Sequence, residues 1–89
     1  MPRLEFAPAL QRHVACAPIQ VDATTLAALL DAAFASAPAL RDYVLTEQPA
    51  IRKHVAVFIN GELMHNRGNL ARALAPDDRV YVAQALSGG

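Results

Sequence analysis

The chain has 89 residues, with eight basic residues against eight acidic ones and a hydrophobic content of 54% in which alanine is the commonest type. One domain of this size buries only roughly 60–65% of the surface its unfolded form exposes, which leaves little room for a deep catalytic cleft beside the core. The balanced charge carries no basic stripe with interleaved aromatics, which argues against nucleic acid as the main partner, and no apolar run approaches the ~20 residues of a membrane span.

Met1 to Phe6 lacks the long apolar segment of a signal peptide. Cys16 is the only cysteine, so neither an intrachain disulfide nor a zinc cluster is expected. These features lead to the expectation of a soluble cytoplasmic carrier, adaptor or binding module.

Arg3-Leu4-Glu5-Phe6-Ala7 alternates polar and apolar residues and predicts a first strand, with Leu4 and Phe6 inward and Pro8 ending it. His13 to Val21 reads as a second, irregular strand bent at Pro18, which suits an edge. The two suggest a hairpin. Leu26, Leu29, Leu30, Ala33 and Phe34 then fall on one stripe of a helix over about residues 24–36. Asp22, Thr24 or Thr25 can cap it, and Pro38 marks its end.

Residues 37–53 form a connector too long to be structureless, and Leu40, Tyr43 and Val44 predict a short helical turn there. His54 to Ile59 is a strand with Val55, Val57 and Ile59 on one face and Ala56 and Phe58 on the other. Asn60-Gly61 predicts a type I′ hairpin turn, because both residues tolerate positive φ. Glu62 to His65 is the return strand. Asn69 to Leu74 suggests one more helical turn, and Pro76-Asp77-Asp78 a tight turn. The last strand, from Arg79 to Leu86, turns Val80 and Val82 to the core.

The order is β-β-α-β-β-β, an α+β fold in which one main helix covers one face of a mixed sheet of about five strands. The other face must meet solvent or a partner. Phe58 is expected there, with Tyr81 and Ala83. It reads either as a partner anchor or as a singly exposed aromatic that needs no explanation.

The chain stops at Ser87-Gly88-Gly89. A glycine pair at a free end adds nothing to pack and costs backbone entropy, but with no Cβ it lets a terminal carboxylate enter a narrow channel. Leu86 to Gly89 can reach roughly 13 Å from the last strand. The expected division is a folded body over residues 1–86 and a flexible Gly-Gly tail over residues 87–89.

Three stretches carry a resemblance: Val21-Asp22-Ala23-Thr24-Thr25-Leu26 with Leu29, Val55 to Glu62, and Pro76-Asp77-Asp78-Arg79-Val80 followed by Ser87-Gly88-Gly89. With the element order, they resemble the ubiquitin-like β-grasp sulfur carriers. That family includes the small subunit of molybdopterin synthase and the thiamine-pathway sulfur carrier. Pro38 through Arg41 to His54 is similar to the molybdopterin-type branch.

The resemblance implies a β-grasp fold and a chain that is not itself an enzyme. A partner, an E1-like adenylating enzyme, would use ATP to convert the Gly89 carboxylate into an acyl-adenylate. A sulfur donor of desulfurase or rhodanese type would then displace AMP and leave a thiocarboxylate. A large synthase subunit would be a further partner, and no cofactor would be bound by the chain. Gly89 would carry the reacting group and Gly88 permit close approach, while Ser87 and Leu86 set the depth of the tail. The molybdopterin-type pathway is the leading expectation for the acceptor. The alternative is a protein modifier that forms isopeptide bonds through Gly89, for which Lys53 would be the only side-chain amine on the chain itself.

The remaining signals read more plainly. His13, His54 and His65 have no ligand spacing and suggest surface strand histidines rather than a metal site. Cys16 reads as a small half-buried residue rather than a nucleophile. Asp77 and Asp78 read as a solvated turn.

Overall fold

The computed structural model describes residues 1–12 and 16–84. Their elements run β1 (Arg3–Phe6), α1 (Pro8–Gln11), β2 (Ile19–Gln20), α2 (Leu26–Ser36), α3 (Ala39–Val44), β3 (Val55–Ile59), β4 (Glu62–Leu63) and β5 (Arg79–Gln84). The five strands form one mixed sheet in the order β2-β1-β5-β3-β4. β1 and β5 are parallel, and the other pairs are antiparallel. The expected β-grasp arrangement is present, and the last strand lies at the centre of the sheet, between β1 and β3.

α2 forms where its apolar stripe predicts. Thr25 caps it by accepting the Ala28 N–H at 3.2 Å, and Leu26, Leu29, Leu30, Ala33 and Phe34 are buried. They pack against Leu4, Phe6, Val55, Val57, Ile59, Val80 and Val82 from one face of the sheet. α3 is the expected turn of the connector and buries Leu40 and Val44.

Three expectations are corrected. The second strand is Ile19–Gln20, much shorter than His13 to Val21. Pro18 has no N–H for the ladder; ahead of this segment lies α1, an element the alternation did not indicate, where Pro8 opens a helical turn and Leu10 enters the core. His13 lies outside the described residues. The return strand ends at Leu63. Met64 adds one N–H bond to the Val57 carbonyl and is buried, so His65 is exposed but not on a strand.

The third correction concerns Asn69 to Leu74, which is not helical. Its carbonyls have other work. Leu26 N–H donates to Arg72 O at 2.9 Å and Ala27 N–H to Leu70 O at 2.8 Å. The first turn of a helix has unsatisfied N–H groups, and this segment supplies their acceptors, keeping within itself only the bond from Arg72 N–H to Asn69 O at 3.3 Å.

The Asn60-Gly61 turn has φ of 54° and 84°, as a type I′ turn requires. It is tied to the acidic turn before β5. Asn60 Nδ2 donates to Asp78 Oδ1 at 2.9 Å, and Arg79 N–H donates to Asn60 Oδ1 at 3.0 Å. Asp78 Oδ2 also accepts the Ala75 N–H at 2.8 Å. The Asn60 amide foremost, then the Ala75 N–H, holds the Asp78 carboxyl below its ordinary value. A depressed folded-state value means that the stabilisation is present above the unfolded value, about 3.9, and is lost as pH falls through the lower folded one. Thermal midpoints recorded across acid pH are expected to fall less steeply for Asp78→Asn than for the parent; parallel curves would remove Asp78 from the acid limb.

Candidate functional site

The residues singled out from the sequence direct attention to two regions: the face of the sheet turned away from α2, and the end of β5. The face is built by period-two alternation. Leu4, Phe6, Val55, Val57, Ile59, Val80 and Val82 point to the helix side and are buried. Arg3, Glu5, Phe58, Arg79 and Tyr81 point the other way.

Register brings these residues into a row. Phe58 stands opposite Leu63 on one side and Tyr81 on the other, and Tyr81 stands opposite Glu5. Ala56 and Ala83 form the adjacent pair. Tyr81 is 39% exposed and Leu63 42%, while Phe58 and Ala83 are half-buried. A shallow depression of about 710 Å³ lies over this face, lined by Arg3, Glu5, Phe58, Asn60, Arg79 and Tyr81 among others. Arg3 and Glu5 form an ion pair at its border, 2.5 Å between Nε and Oε1.

Phe58, Tyr81 and Ala83, singled out from the sequence, are therefore together on the open face. Leu63 was missed. A two-residue turn at Asn60-Gly61 fixes Leu63 opposite Phe58, so the signal was present in the hairpin register. Leu86, Ser87, Gly88 and Gly89 lie outside the described residues, as does the boundary between body and tail.

β5 delivers the chain to that tail. It is a six-residue strand, bonded to β1 from Arg79 to Val82 and to β3 from Val80 to Gln84. It is therefore held on both edges as far as Val82 and on the β3 edge alone at Ala83 and Gln84.

The weaker candidates resolve by position. Cys16 is buried at 6% exposure rather than half-buried, and burial pushes its thiol up, away from the reactive thiolate. Its Sγ–H donates to the Ala17 carbonyl at 3.5 Å. Asp78 is engaged in the turn before β5, and His54 and His65 are exposed. Among the described residues no three His, Cys, Asp or Glu side chains meet as metal ligands, and no helix is long and apolar enough to cross a membrane.

Solved structures share the fold along the whole chain. SAMP1, the small archaeal modifier protein 1 of Haloferax volcanii, is 25% identical with a TM-score of 0.76, covering 99% of this chain and 98% of its own. A chain of the BexX/CysO complex of Amycolatopsis orientalis is 16% identical with a TM-score of 0.80 and covers 100% of both. CysO of Mycobacterium tuberculosis is 19% identical with a TM-score of 0.78, covering 97% of this chain and 100% of its own. No curated protein matches the sequence. The ThiS family model matches residues 11–89, a span that takes in the capped helix, the Asn60-Gly61 hairpin, the central last strand and both terminal glycines. On that match and this sheet order, the chain belongs to the ThiS family.

Proposed function

We propose that the protein is a sulfur carrier whose Gly89 carboxylate is the group that reacts. The observation that carries this reading is the ThiS-family match running through Gly89, on a fold whose central strand ends at Gln84, five residues earlier in the sequence. A carboxylate is a poor electrophile. In the proposed sequence its oxygen attacks the α-phosphorus of ATP on an E1-like partner, pyrophosphate leaves, and an acyl-adenylate results. The outer sulfur of a cysteine persulfide on a donor protein then attacks the carbonyl carbon and AMP departs, leaving an acyl disulfide; a second thiol attacks the donor cysteine's sulfur, which forms a disulfide with it and releases the thiocarboxylate. One difficult step is split into easier ones. The chain acts as co-substrate, holds no cofactor of its own, and works in the cytoplasm. Molybdopterin-type synthesis is the acceptor pathway the sequence resemblance favours.

Co-expression with a cognate adenylating enzyme and a sulfur source is expected to replace one terminal oxygen by sulfur, read as the corresponding gain in intact mass. An unchanged mass beside a partner shown to be active would overturn the reading.

A second reading has its own support. The Haloferax volcanii relative is named a modifier protein, and the same adenylate can be captured by a lysine amine instead of sulfur. Adducts in lysate that disappear with Gly88-Gly89 would select it.

The open face is the surface offered to the partner. Leu63, Phe58 and Tyr81 form an apolar row with the Arg3–Glu5 pair beside it, an aromatic anchor with a polar rim. Phe58→Ala is expected to weaken binding to the adenylating enzyme about tenfold or more while the circular-dichroism spectrum stays that of the parent. Equal affinity in a titration would remove this face from the interface.

A further inference from the structure

Gln84 is the last residue of β5 and stands five residues before Gly89. β1 pairs with β5 only as far as Val82, because β1 ends at Phe6 and the chain turns into α1. Past that point the ladder continues on one edge alone, through Ala56 opposite Ala83 and Val55 opposite Gln84. The strand is thus least supported where it hands over to the tail.

A side chain from the helical layer meets it there. Gln84 Nε2 donates to the Tyr43 hydroxyl at 2.8 Å. Tyr43 lies in α3, half-buried against the core. Its ring meets that of His54 edge to face, with centroids 5.1 Å apart and planes at 89°. His54 belongs to the turn closed by the Val55 N–H bond to Arg52 O. Arg67 Nη1 clasps that turn, donating to Arg52 O at 2.5 Å and Val55 O at 2.6 Å. Arg52 Nε in turn donates to the Asp42 carbonyl of α3 at 2.7 Å. α3, the 52–55 turn and the ends of β3 and β5 are joined in one network.

We propose that Tyr43 is a positioning residue for activation of the Gly89 carboxylate: its hydroxyl, held by the clasped turn and His54, anchors Gln84 and fixes the point and direction from which the final five residues start. This rests on the carrier reading above. The physical reason is leverage. Held extended by a partner, five residues span at most roughly 17 Å, so a swing of about 10° at Gln84 then carries the carboxylate about 3 Å. Displacements near 1 Å already cost a large factor in rate when two reacting atoms must be brought into line. A root fixed beforehand also leaves less ordering for the partner to impose.

The test is ATP–pyrophosphate exchange by an adenylating enzyme that accepts the full chain, with the parent, Tyr43→Phe, Gln84→Ala and the double variant as substrates. Tyr43→Phe keeps the ring against His54 and removes only the hydroxyl. It is expected to lower kcat roughly three- to tenfold, the range that a lost hydrogen bond spans, with KM nearly unchanged and the same thermal midpoint. Gln84→Ala should do likewise, and the double variant should be no worse than either single one. A Tyr43→Phe chain adenylated at the parent's rate, or losses that multiply in the double variant, would overturn the positioning role alone. A parent chain that no adenylating enzyme accepts would overturn the carrier reading, and this inference with it.

Discussion

A chain shortened by Gly88 and Gly89 is expected to unfold at the same temperature as the full chain and to take up no AMP from the adenylating enzyme. The first half of that result follows from where the core lies. Every buried side chain among the described residues is at or before Val82, and the last ladder pair is Val55 with Gln84, so the described core and ladder are built from residues that the truncation leaves in place. The second half follows from chemistry. The carboxylate still exists on Ser87, but it now sits two residues short, roughly 7 Å, and bears a side chain where the family has glycine. A graded version is Gly88→Val, which keeps the length and adds bulk to the approach. It is expected to bind the partner as before and to lose tenfold or more in kcat, about 1.4 kcal/mol or more in the barrier. Pyrophosphate exchange gives the rate and differential scanning calorimetry the midpoint. Full activity in the shortened chain would move the reacting group away from Gly89.

The opposite dissociation is expected of Leu29→Ala. Leu29 is fully buried on the stripe of α2 that meets the sheet. Truncating a buried leucine removes transfer energy and leaves a cavity, together about 2–5 kcal/mol. A domain of this size has only about 4–13 kcal/mol in total, and each kcal/mol shifts its midpoint by about 4–8 °C. The midpoint should therefore drop by ten degrees or more. Well below that temperature, adenylation should proceed at the parent's rate, because Leu29 touches neither the open face nor the root of the tail. Denaturant titration and pyrophosphate exchange on the same samples measure the two effects. A rate that fell with the stability would mean that the body does more than carry the tail.

Much of this was legible in the amino-acid sequence. The stripe from Leu26 to Phe34, the alternation in Val55 to Ile59 and in Arg79 to Val82, and the Asn60-Gly61 pair each encode local structure through a period or a positive φ. These signals need no tertiary context, and each element appeared. Terminal Gly88-Gly89 is the sequence feature on which the proposed chemistry rests, because two residues without side chains leave a carboxylate open to close approach.

What only the folded structure decided are matters of partnership. Asn69 to Leu74 has the residues for a helical turn, yet its carbonyls serve the N–H groups at the start of α2, and no local rule assigns an acceptor to a donor so distant in the sequence. α1 exists because Leu10 finds a place in the core beside β5. The meeting of Tyr43, His54 and Gln84 joins residues from three elements that share no spacing pattern. Sequence periodicity reports which side of an element is apolar; only packing and hydrogen-bond demand determine which neighbour that side, or a polar group at its end, will find.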